Sequence, residues 1–210
     1  VGRVRGDARP TLIAVRLLSR DAAQGIDVDF LAGRLRAALA LREVLVGAPY
    51  YRLVHSEADG LPGLIIDRYG EVVVCQVNTA GMERLLPDLL TALTTVLAPA
   101  AIVLDNDTSV RGLEGLDSYR RVAFGTLDGP VRLFENGGQF FADLIDGQKT
   151  GWFFDQRDNR AFVARLARGR RVLDLFSYAG GFAIQAAMAG AISVVAVDRS
   201  EGALAGAARA

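Results

Sequence analysis

The sequence contains one cysteine, Cys75, and one histidine, His55, among its 210 residues. A single cysteine excludes an intramolecular disulfide and a cysteine zinc cluster. A single histidine excludes a two-histidine metal site and disfavours a Ser-His-Asp triad. We therefore expect no bound metal. Cys75 lies within EVVVCQV, an apolar pattern typical of a strand, where a buried and unreactive thiol is expected.

Long apolar runs and an excess of one charge are also absent. No run approaches the roughly 20 residues of a membrane span, and the start VGRVRGDARP lacks the apolar core of a signal peptide. We therefore expect a cytoplasmic protein. The 24 basic and 24 acidic residues give a formal net charge of zero, which excludes a uniformly basic nucleic-acid binder but not a local basic patch. A hydrophobic content of 51% is typical of a folded globular chain.

The most informative stretch is RVLDLFSYAGGFAIQAAMAGAISVVAVDRS, residues 171–200. Residues 172–175 predict a buried strand, a glycine turn and an apolar helix follow, and residues 193–197 predict a second buried strand that ends at Asp198. This order indicates the first βαβ unit of a doubly wound, Rossmann-like sheet. Such sheets bind ligands at the carboxyl ends of their strands.

The turn of this unit, FSYAGG, lacks the phosphate-binding motifs. It has neither the spacing G-x-G-x-x-G nor the lysine of a Walker loop. The pattern favours a ligand without phosphates that approaches Gly180 and Gly181 closely and is held through its ribose by Asp198. S-adenosylmethionine fits this description. The alternatives are a βαβ unit without a ligand and another oxidoreductase or nucleotide enzyme, which the glycine spacing disfavours.

Elements of both kinds are expected before this unit. Residues 11–18 predict a strand that no partner strand precedes. Helices are predicted over about 25–46, with Asp27 or Asp29 as its N-cap, over about 82–97, and over 149–169. Strands are predicted at 51–55, 64–67, 72–77, 101–104, 122–124, 131–134 and 139–144.

Two further segments stand out. EADGLPG, residues 57–63, contains two turn dipeptides, and a structural turn is the favoured interpretation. KTGWFFDQRDNR, residues 149–160, combines three aromatic residues with acids, amides and arginines. It is either a capped helix start or a wall for the amino-acid end of the cofactor, and the residues alone favour neither alternative.

Together, EADGLPG, GQKTGWFFDQRDNR and VLDLFSYAGGFAIQAAMAGA with VDRS resemble one family. It is the class I ribosomal RNA large-subunit methyltransferases that methylate carbon 5 of cytosine in 23S rRNA. The resemblance implies an N-terminal RNA-binding PUA domain, an α+β domain and a Rossmann-like methyltransferase domain. Residues 1–24 would then be a PUA remnant, 25–146 the central α+β domain, and 147–210 the first part of the methyltransferase domain. The fold class is α/β, and the resemblance allows a homodimer.

The same resemblance implies a set of residues that bind S-adenosylmethionine. Asp198 would hold the ribose, with Arg199 beside it. The segment from Phe153 to Arg157 would lie near the methionine part. The full predicted site is Phe153, Asp155, Gln156, Arg157, Asp174, Phe176, Ser177, Tyr178, Gly180, Gly181, Asp198 and Arg199.

The sequence departs from this family in its catalytic residues. The family mechanism needs a cysteine thiolate that attacks carbon 6 of cytosine, carried with a Pro-Pro motif and a Ser-Cys-Ser-type segment. Neither segment is in this chain, and Cys75 lies in a strand of another domain. The chain therefore resembles a fragment truncated at both ends, with no catalytic residue, no methyl transfer, and weak or absent cofactor binding. The alternative is a non-catalytic RNA-binding or assembly module with a vestigial cofactor turn.

Overall fold

The computed structural model describes residues 2–5, 15–145, 147 and 150–210. The chain forms two compact units, Val1–Leu127 and Asp128–Ala210. The boundary predicted at 146 and 147 borders residues outside the described ones. The second unit takes in residues 128–146, which the sequence assigns to the central domain. The domain assignment itself stays a prediction.

The chain begins with a strand pair. β1 (Gly2–Arg5) pairs antiparallel with β2 (Val15–Ser19). Of the strand predicted over 11–18, residues 11–14 lie outside the described part, and the remainder belongs to β2. The expectation that no partner strand precedes it is wrong. The stretch GRVR is short and half arginine, so nothing in its apolar pattern indicated a strand, yet it forms a backbone ladder with β2.

The first long helix, α1 (Val28–Leu45), starts at Asp27. The Asp27 carboxylate accepts a hydrogen bond from the Phe30 amide at 3.0 Å, so Asp27 rather than Asp29 is the N-cap. Leu31, Leu35 and Ala38 are buried on the side of α1 that joins the core.

A five-stranded sheet forms the centre of the first unit. Its strands, in spatial and chain order, are β3 (Tyr50–His55), β4 (Leu64–Tyr69), β5 (Val72–Val77), β6 (Ala101–Asn106) and β7 (Tyr119–Gly125). β5 and β6 are parallel, and the other neighbours are antiparallel. Each strand covers one that the sequence predicts. Cys75 is fully buried in β5, as predicted.

The helix predicted over 82–97 is two helices, α2 (Ala80–Arg84) and α3 (Leu86–Leu97). Pro87 lies at the start of α3 and has no N–H with which to continue the preceding turn. The Leu85 amide instead donates to the Met82 carbonyl at 3.1 Å, which closes α2. α3 packs against α1, and a short helix, α4 (Ser109–Leu113), follows β6.

The turn EADGLPG between β3 and β4 is held by hydrogen bonds. Both Asp59 oxygens accept from the Arg42 guanidinium at 2.7 Å, and one also accepts from the His55 amide at 2.6 Å. The Ser56 hydroxyl accepts from the Gly63 amide at 2.7 Å. These bonds fix the turn to α1 and support its structural interpretation.

The second unit contains a hairpin followed by a helix and the βαβ unit. The hairpin is β8 (Val131–Glu135) and β9 (Gly138–Ala142). The elements that follow are α5 (Arg157–Ala167), β10 (Arg171–Leu175), α6 (Gly181–Met188), β11 (Ser193–Val197) and α7 (Glu201–Arg209). β10 and β11 are parallel neighbours, from Arg171 opposite Ser193 to Leu175 opposite Val197, which confirms the predicted βαβ unit.

α5 begins later than the sequence predicts. Residues 148 and 149 lie outside the described part, Gly151 has a φ of +102°, and a 3-10 turn spans Phe154–Gln156. Trp152 is buried, so this stretch is held in the core as an irregular segment instead of a helical turn. The predicted helix from 149 is therefore wrong in its first two turns.

One face of the βαβ sheet carries exposed apolar side chains. Leu173, Leu175, Val195 and Val197 are 45% to 62% exposed, whereas Val194, on the opposite face, is half-buried. The alternation follows from the period of two along a strand. Val195 and Val197 of β11 therefore belong to an exposed apolar surface. Within the described part of the chain, no helix is both long and apolar enough to span a bilayer.

Gly63 gives a test of the first unit. Its φ is +78°, and a Cβ atom there would lie 2.2 Å from the Thr79 side chain. We expect Gly63→Ala to lower the free energy of unfolding by about 2–4 kcal/mol, because strain and overpacking add. The control is Gly33→Ala in α1, where a Cβ meets nothing within 4 Å. This change should stabilise by about 1 kcal/mol through helix propensity. Urea denaturation measures the free energy of unfolding of both variants. Equal changes in the two variants would contradict the predicted strain at Gly63.

Candidate functional site

The loop between β10 and α6 has an unusual backbone. Phe176, Tyr178 and Gly180 have φ values of 59°, 49° and 72°, so every second residue is left-handed. Only one of the three is glycine, and a left-handed conformation costs other residues about 1–2 kcal/mol. The Ser177 amide donates to the Val197 carbonyl at 3.0 Å, and the Gly180 amide donates to the Ser177 carbonyl at 2.8 Å. These bonds hold the loop against the end of β11.

Two carboxylates fix the same loop. Asp174 accepts from the Ala183 amide at 3.0 Å and so caps the first turn of α6. Partial burial raises the pKa of Asp174. The two Asp198 oxygens accept from the amides of Ser200 at 2.9 Å and Tyr178 at 2.8 Å, and these bonds lower the pKa of Asp198. Asp198 is therefore ionised at neutral pH and retains lone pairs for a further ligand.

A cavity of about 870 Å³ opens beside this loop, at the carboxyl ends of β10 and β11. Its lining comprises Trp152, Phe153, Gln156, Arg160, Leu175, Phe176, Ser177, Tyr178, Ala179, Gly181, Phe182, Val197, Asp198 and Arg199. Phe176 is 90% exposed, and the buried Ser177 hydroxyl has no hydrogen-bond partner among the described residues. The cavity therefore combines an aromatic wall, an ionised carboxylate and an unsatisfied hydroxyl.

The structure gathers most of the predicted site residues around this cavity. Those in its lining are Phe153, Gln156, Phe176, Ser177, Tyr178, Gly181, Asp198 and Arg199. The lining does not include four others, Asp155, Arg157, Asp174 and Gly180.

Those four residues have other surroundings. The exposed Asp155 carboxylate accepts a hydrogen bond from the side-chain amide of Gln156 at 3.4 Å. Arg157 Nε lies 3.5 Å from Glu135 Oε2. Asp174 caps α6, as described above. A Cβ on Gly180 would lie 2.8 Å from that of Ala207. These four residues therefore do not form part of the cavity wall.

The irregular segment before α5 forms one wall of the cavity. The rings of Phe153 and Tyr178 meet edge to face, with centroids 5.6 Å apart, and the Tyr178 hydroxyl donates to the Gly151 carbonyl at 3.3 Å. A Cβ on Gly181 would lie 2.9 Å from Arg160 and 3.1 Å from Trp152, so the segment packs directly on the start of α6. These contacts favour the cofactor-wall interpretation of KTGWFFDQRDNR.

Behind this wall lies Glu135, which the sequence did not single out. Its carboxylate accepts from Arg160 at 2.5 and 2.8 Å, from the Trp152 indole at 3.1 Å, and from Gln185 at 3.0 Å. Burial acts to raise the pKa of Glu135, but the hydrogen bond and charge of Arg160, with Trp152 and Arg157, lower it overall.

A signal for Glu135 was present in β8. Residues two apart in a strand share a face, and Glu135 shares the buried face of β8 with Leu133. A charged residue at an inward position requires a partner. Arg160, Trp152 and Phe182 also line the cavity and are missing from the predicted site.

Metal ligands are not grouped in the described ranges. Among residues 2–5, 15–145, 147 and 150–210, no three His, Cys, Asp or Glu side chains come together as a metal site would require.

Residues 117–209 match the model of a protein family described as S-adenosylmethionine-dependent methyltransferase. The chain is 42% identical over 192 residues to ribosomal RNA large subunit methyltransferase I of Shewanella denitrificans. The aligned region covers 90% of this chain and 48% of that protein. The chain spans about half the length of the curated relatives it matches.

Solved structures show the same fold. A candidate S-adenosylmethionine-dependent methyltransferase from Streptococcus mutans matches with a TM-score of 0.79 at 24% identity, covering 93% of this chain and 51% of that one. A candidate methyltransferase complexed with SAH also has a TM-score of 0.79 at 24% identity, covering 93% and 50%. These similarities confirm the predicted α/β fold class with its Rossmann-like segment. The match of residues 117–209 confirms the predicted cofactor, S-adenosylmethionine.

Glu135 gives a pH-dependent test of the site. We expect Glu135→Gln to lower the free energy of unfolding at pH 7 by about 3 kcal/mol, because Arg160 stays buried without its counter-charge. The folded-state pKa of Glu135 is lowered, so its stabilising contribution is present above the ordinary glutamate pKa. That contribution is lost as the pH falls through the folded-state pKa.

The difference between wild type and Glu135→Gln should therefore shrink on acidification. Urea denaturation followed by Trp152 fluorescence at several pH values measures it. The control is Glu201→Gln, at an exposed position, which should change stability little at any pH. A wild-type-to-variant difference that stays constant down to acidic pH would contradict the proposed ion pair.

Proposed function

We propose that this chain carries the cofactor site of an S-adenosylmethionine-dependent methyltransferase that acts on large-subunit ribosomal RNA. The observation that carries the proposal is the position of Asp198, an ionised carboxylate on the wall of a cavity at the carboxyl ends of two parallel strands. Ligands of doubly wound sheets bind at this place. The ribosomal RNA substrate is suggested by the names of the relatives.

The cavity wall fits the three chemical parts of this cofactor. The lone pairs left on Asp198 can accept from two ribose hydroxyls. The exposed ring of Phe176, with Leu175 and Val197 nearby in the lining, offers an apolar surface to an adenine ring. The unpartnered Ser177 hydroxyl can bond the polar amino-acid end, beside Phe153 and Gln156.

The charges of the wall disfavour a ligand with phosphates. The lining includes two cations, Arg160 and Arg199, and Arg160 is already bound by Glu135. A pyrophosphate needs several free donors at a helix start. This balance supports S-adenosylmethionine over a dinucleotide.

The product is proposed to be 5-methylcytosine in 23S rRNA, on the family resemblance. There a cysteine thiolate adds to carbon 6 of the base, and carbon 5 then takes the methyl group from the sulfonium. Loss of the proton from carbon 5 expels the thiolate. The same resemblance supports two further proposals: residues 1–24 as a PUA remnant, and a homodimer. A cytoplasmic location is proposed from the ribosomal RNA substrate that the names of the relatives suggest.

The nucleophile of that reaction is proposed to lie outside this chain. Burial, with a contribution from Asp67, raises the pKa of the Cys75 thiol well above its ordinary value, so Cys75 is not a thiolate at neutral pH. Cys75 also belongs to β5 of the first unit. Its burial favours a second candidate function for the chain itself, an RNA-binding or assembly module with a vestigial cofactor turn. Cofactor binding separates the two.

Asp198→Ala tests the cofactor site. We expect S-adenosylhomocysteine to bind this chain weakly and Asp198→Ala to weaken it roughly 10- to 100-fold, because ribose hydroxyls would lose their acceptor in a partly buried site. Ligand-observed NMR titration suits weak binding. NAD should give no measurable binding.

The matched control is Asp158→Ala, which removes one exposed carboxylate outside the cavity lining. It should bind S-adenosylhomocysteine as the wild type does. Equal affinity of wild type and Asp198→Ala would dispose of the assignment, and absence of binding by the wild type would favour the vestigial turn.

A methyl-transfer assay tests the absence of a nucleophile. We expect no incorporation of radiolabelled methyl into unmodified 23S rRNA by this chain, because its one thiol is buried and protonated. Cys75→Ser should leave this result unchanged. Incorporation that survives Cys75→Ser would mean another mechanism, and incorporation that Cys75→Ser abolishes would mean that Cys75 is accessible and reactive.

A further inference from the structure

Four arginines form an exposed group at the amino end of the βαβ unit. Arg165 lies in α5, Arg168 and Arg170 lie in the turn after it, and Arg171 begins β10. All four are exposed, and no hydrogen bond or ion pair joins any of their side chains to another residue in the described part of the chain. We call this group the basic edge.

The backbone of the basic edge is fixed to its neighbours. The Gly169 amide donates to the Gly190 carbonyl at 2.8 Å, and the Ile192 amide donates to the Arg170 carbonyl at 2.7 Å. The Arg170 amide donates to the Ala167 carbonyl at 2.9 Å. The arginines therefore project from an ordered turn, which limits the backbone entropy lost when they bind a ligand.

Acidic residues are missing from the two segments that build this edge. Residues 165–171 read RLARGRR, and residues 187–193, which the hydrogen bonds above join to them, read AMAGAIS. Asp158 lines a surface groove together with Arg165, and among the described residues no ion pair joins the two. A chain of zero net charge thus carries a local concentration of positive charge.

An exposed aromatic ring adjoins the basic edge. Phe162 is 53% exposed on α5, and the Arg165 guanidinium lies 5.5 Å from the centre of its ring. Arginines beside an exposed aromatic residue suit a ligand that offers phosphates and flat bases together. A purely acidic protein surface would use the charges but not the ring.

We propose that the basic edge binds the sugar–phosphate backbone of RNA. The proposal rests on the proposed function for its RNA partner and extends it to a second surface. The cavity lies at the carboxyl ends of β10 and β11. Arg171 lies at the amino end of β10, four residues and about 13 Å from Leu175 along the strand. The basic edge therefore holds a part of the RNA distant from the cofactor and positions it without reading its sequence.

The test is salt-dependent RNA binding by the double variant Arg168→Ala/Arg170→Ala. The probe is a fluorescein-labelled single-stranded RNA of mixed sequence, about 20 nucleotides long, followed by anisotropy over a range of salt concentrations. The slope of log K against log salt is negative, and each lost phosphate contact reduces its magnitude by about 0.7 for a single strand. We expect the variant to bind more weakly, with a slope smaller in magnitude by about 1.4.

The matched control is Arg36→Ala/Arg132→Ala, which removes the same charge from two exposed arginines elsewhere. Its slope should equal that of the wild type. A wild-type slope in Arg168→Ala/Arg170→Ala, or equal reductions in both double variants, overturns the proposal. Polyglutamate that displaces the RNA at equal charge concentration also overturns it, in favour of an acidic protein partner.

S-adenosylhomocysteine binding by the same variant keeps this test separate from that of the proposed function. Arg168 and Arg170 do not line the cavity, so the affinity should be unchanged. Unchanged cofactor binding with an unchanged RNA slope refutes the basic edge alone.

Discussion

The candidate site depends on the interactions of one buried carboxylate, that of Glu135. It binds Arg160 and Trp152, which form part of the cavity wall, and Gln185, which lies within α6. One side chain of the hairpin thus joins the irregular segment, α5 and the helix that follows the cofactor loop. An apolar pair of similar volume could stabilise the unit equally well, since burying an ion pair yields little net energy. An apolar pair would not orient the Arg160 guanidinium, which the bidentate hydrogen bonds to Glu135 hold in one orientation.

The loop after β10 illustrates how such support allows strain. Left-handed backbone at Tyr178 is offset by contacts of its side chain, namely the edge-to-face packing with Phe153 and the hydrogen bond to Gly151. Phe176 has the same backbone conformation but a largely exposed ring. Residues held in strained backbone conformations cluster at ligand-binding sites in proteins. Its presence at the cavity mouth agrees with the proposed role of the Phe176 ring as a surface for the cofactor.

The sequence predicted the parts of the site that depend on local pattern. The strands β10 and β11 are apolar runs with an acidic residue next to their last residue, and Asp27 precedes an amphipathic helix, so periodicity and capping sufficed. The left-handed residues were missed because glycine is the usual sign of positive φ, and two of the three are aromatic. Glu135 was missed because its partners lie in other elements, and the late start of α5 depends on the burial of Trp152. Tertiary contacts determine the left-handed residues, the burial of Glu135 and the start of α5.

The two ends of the βαβ strands suit different classes of ligand. Its carboxyl ends present a partly enclosed cavity with a single ionised acceptor, Asp198, which suits a small ligand recognised by shape and hydrogen bonds. Its amino ends present open arginines, which suit a polyanion recognised by charge. The pattern of β10 itself produces this polarity, because RRVLDL runs from two arginines to an acid and an apolar residue. A long substrate could therefore be held by the positive end while its reacting part approaches the cofactor, and neither end needs an excess of charge over the whole chain.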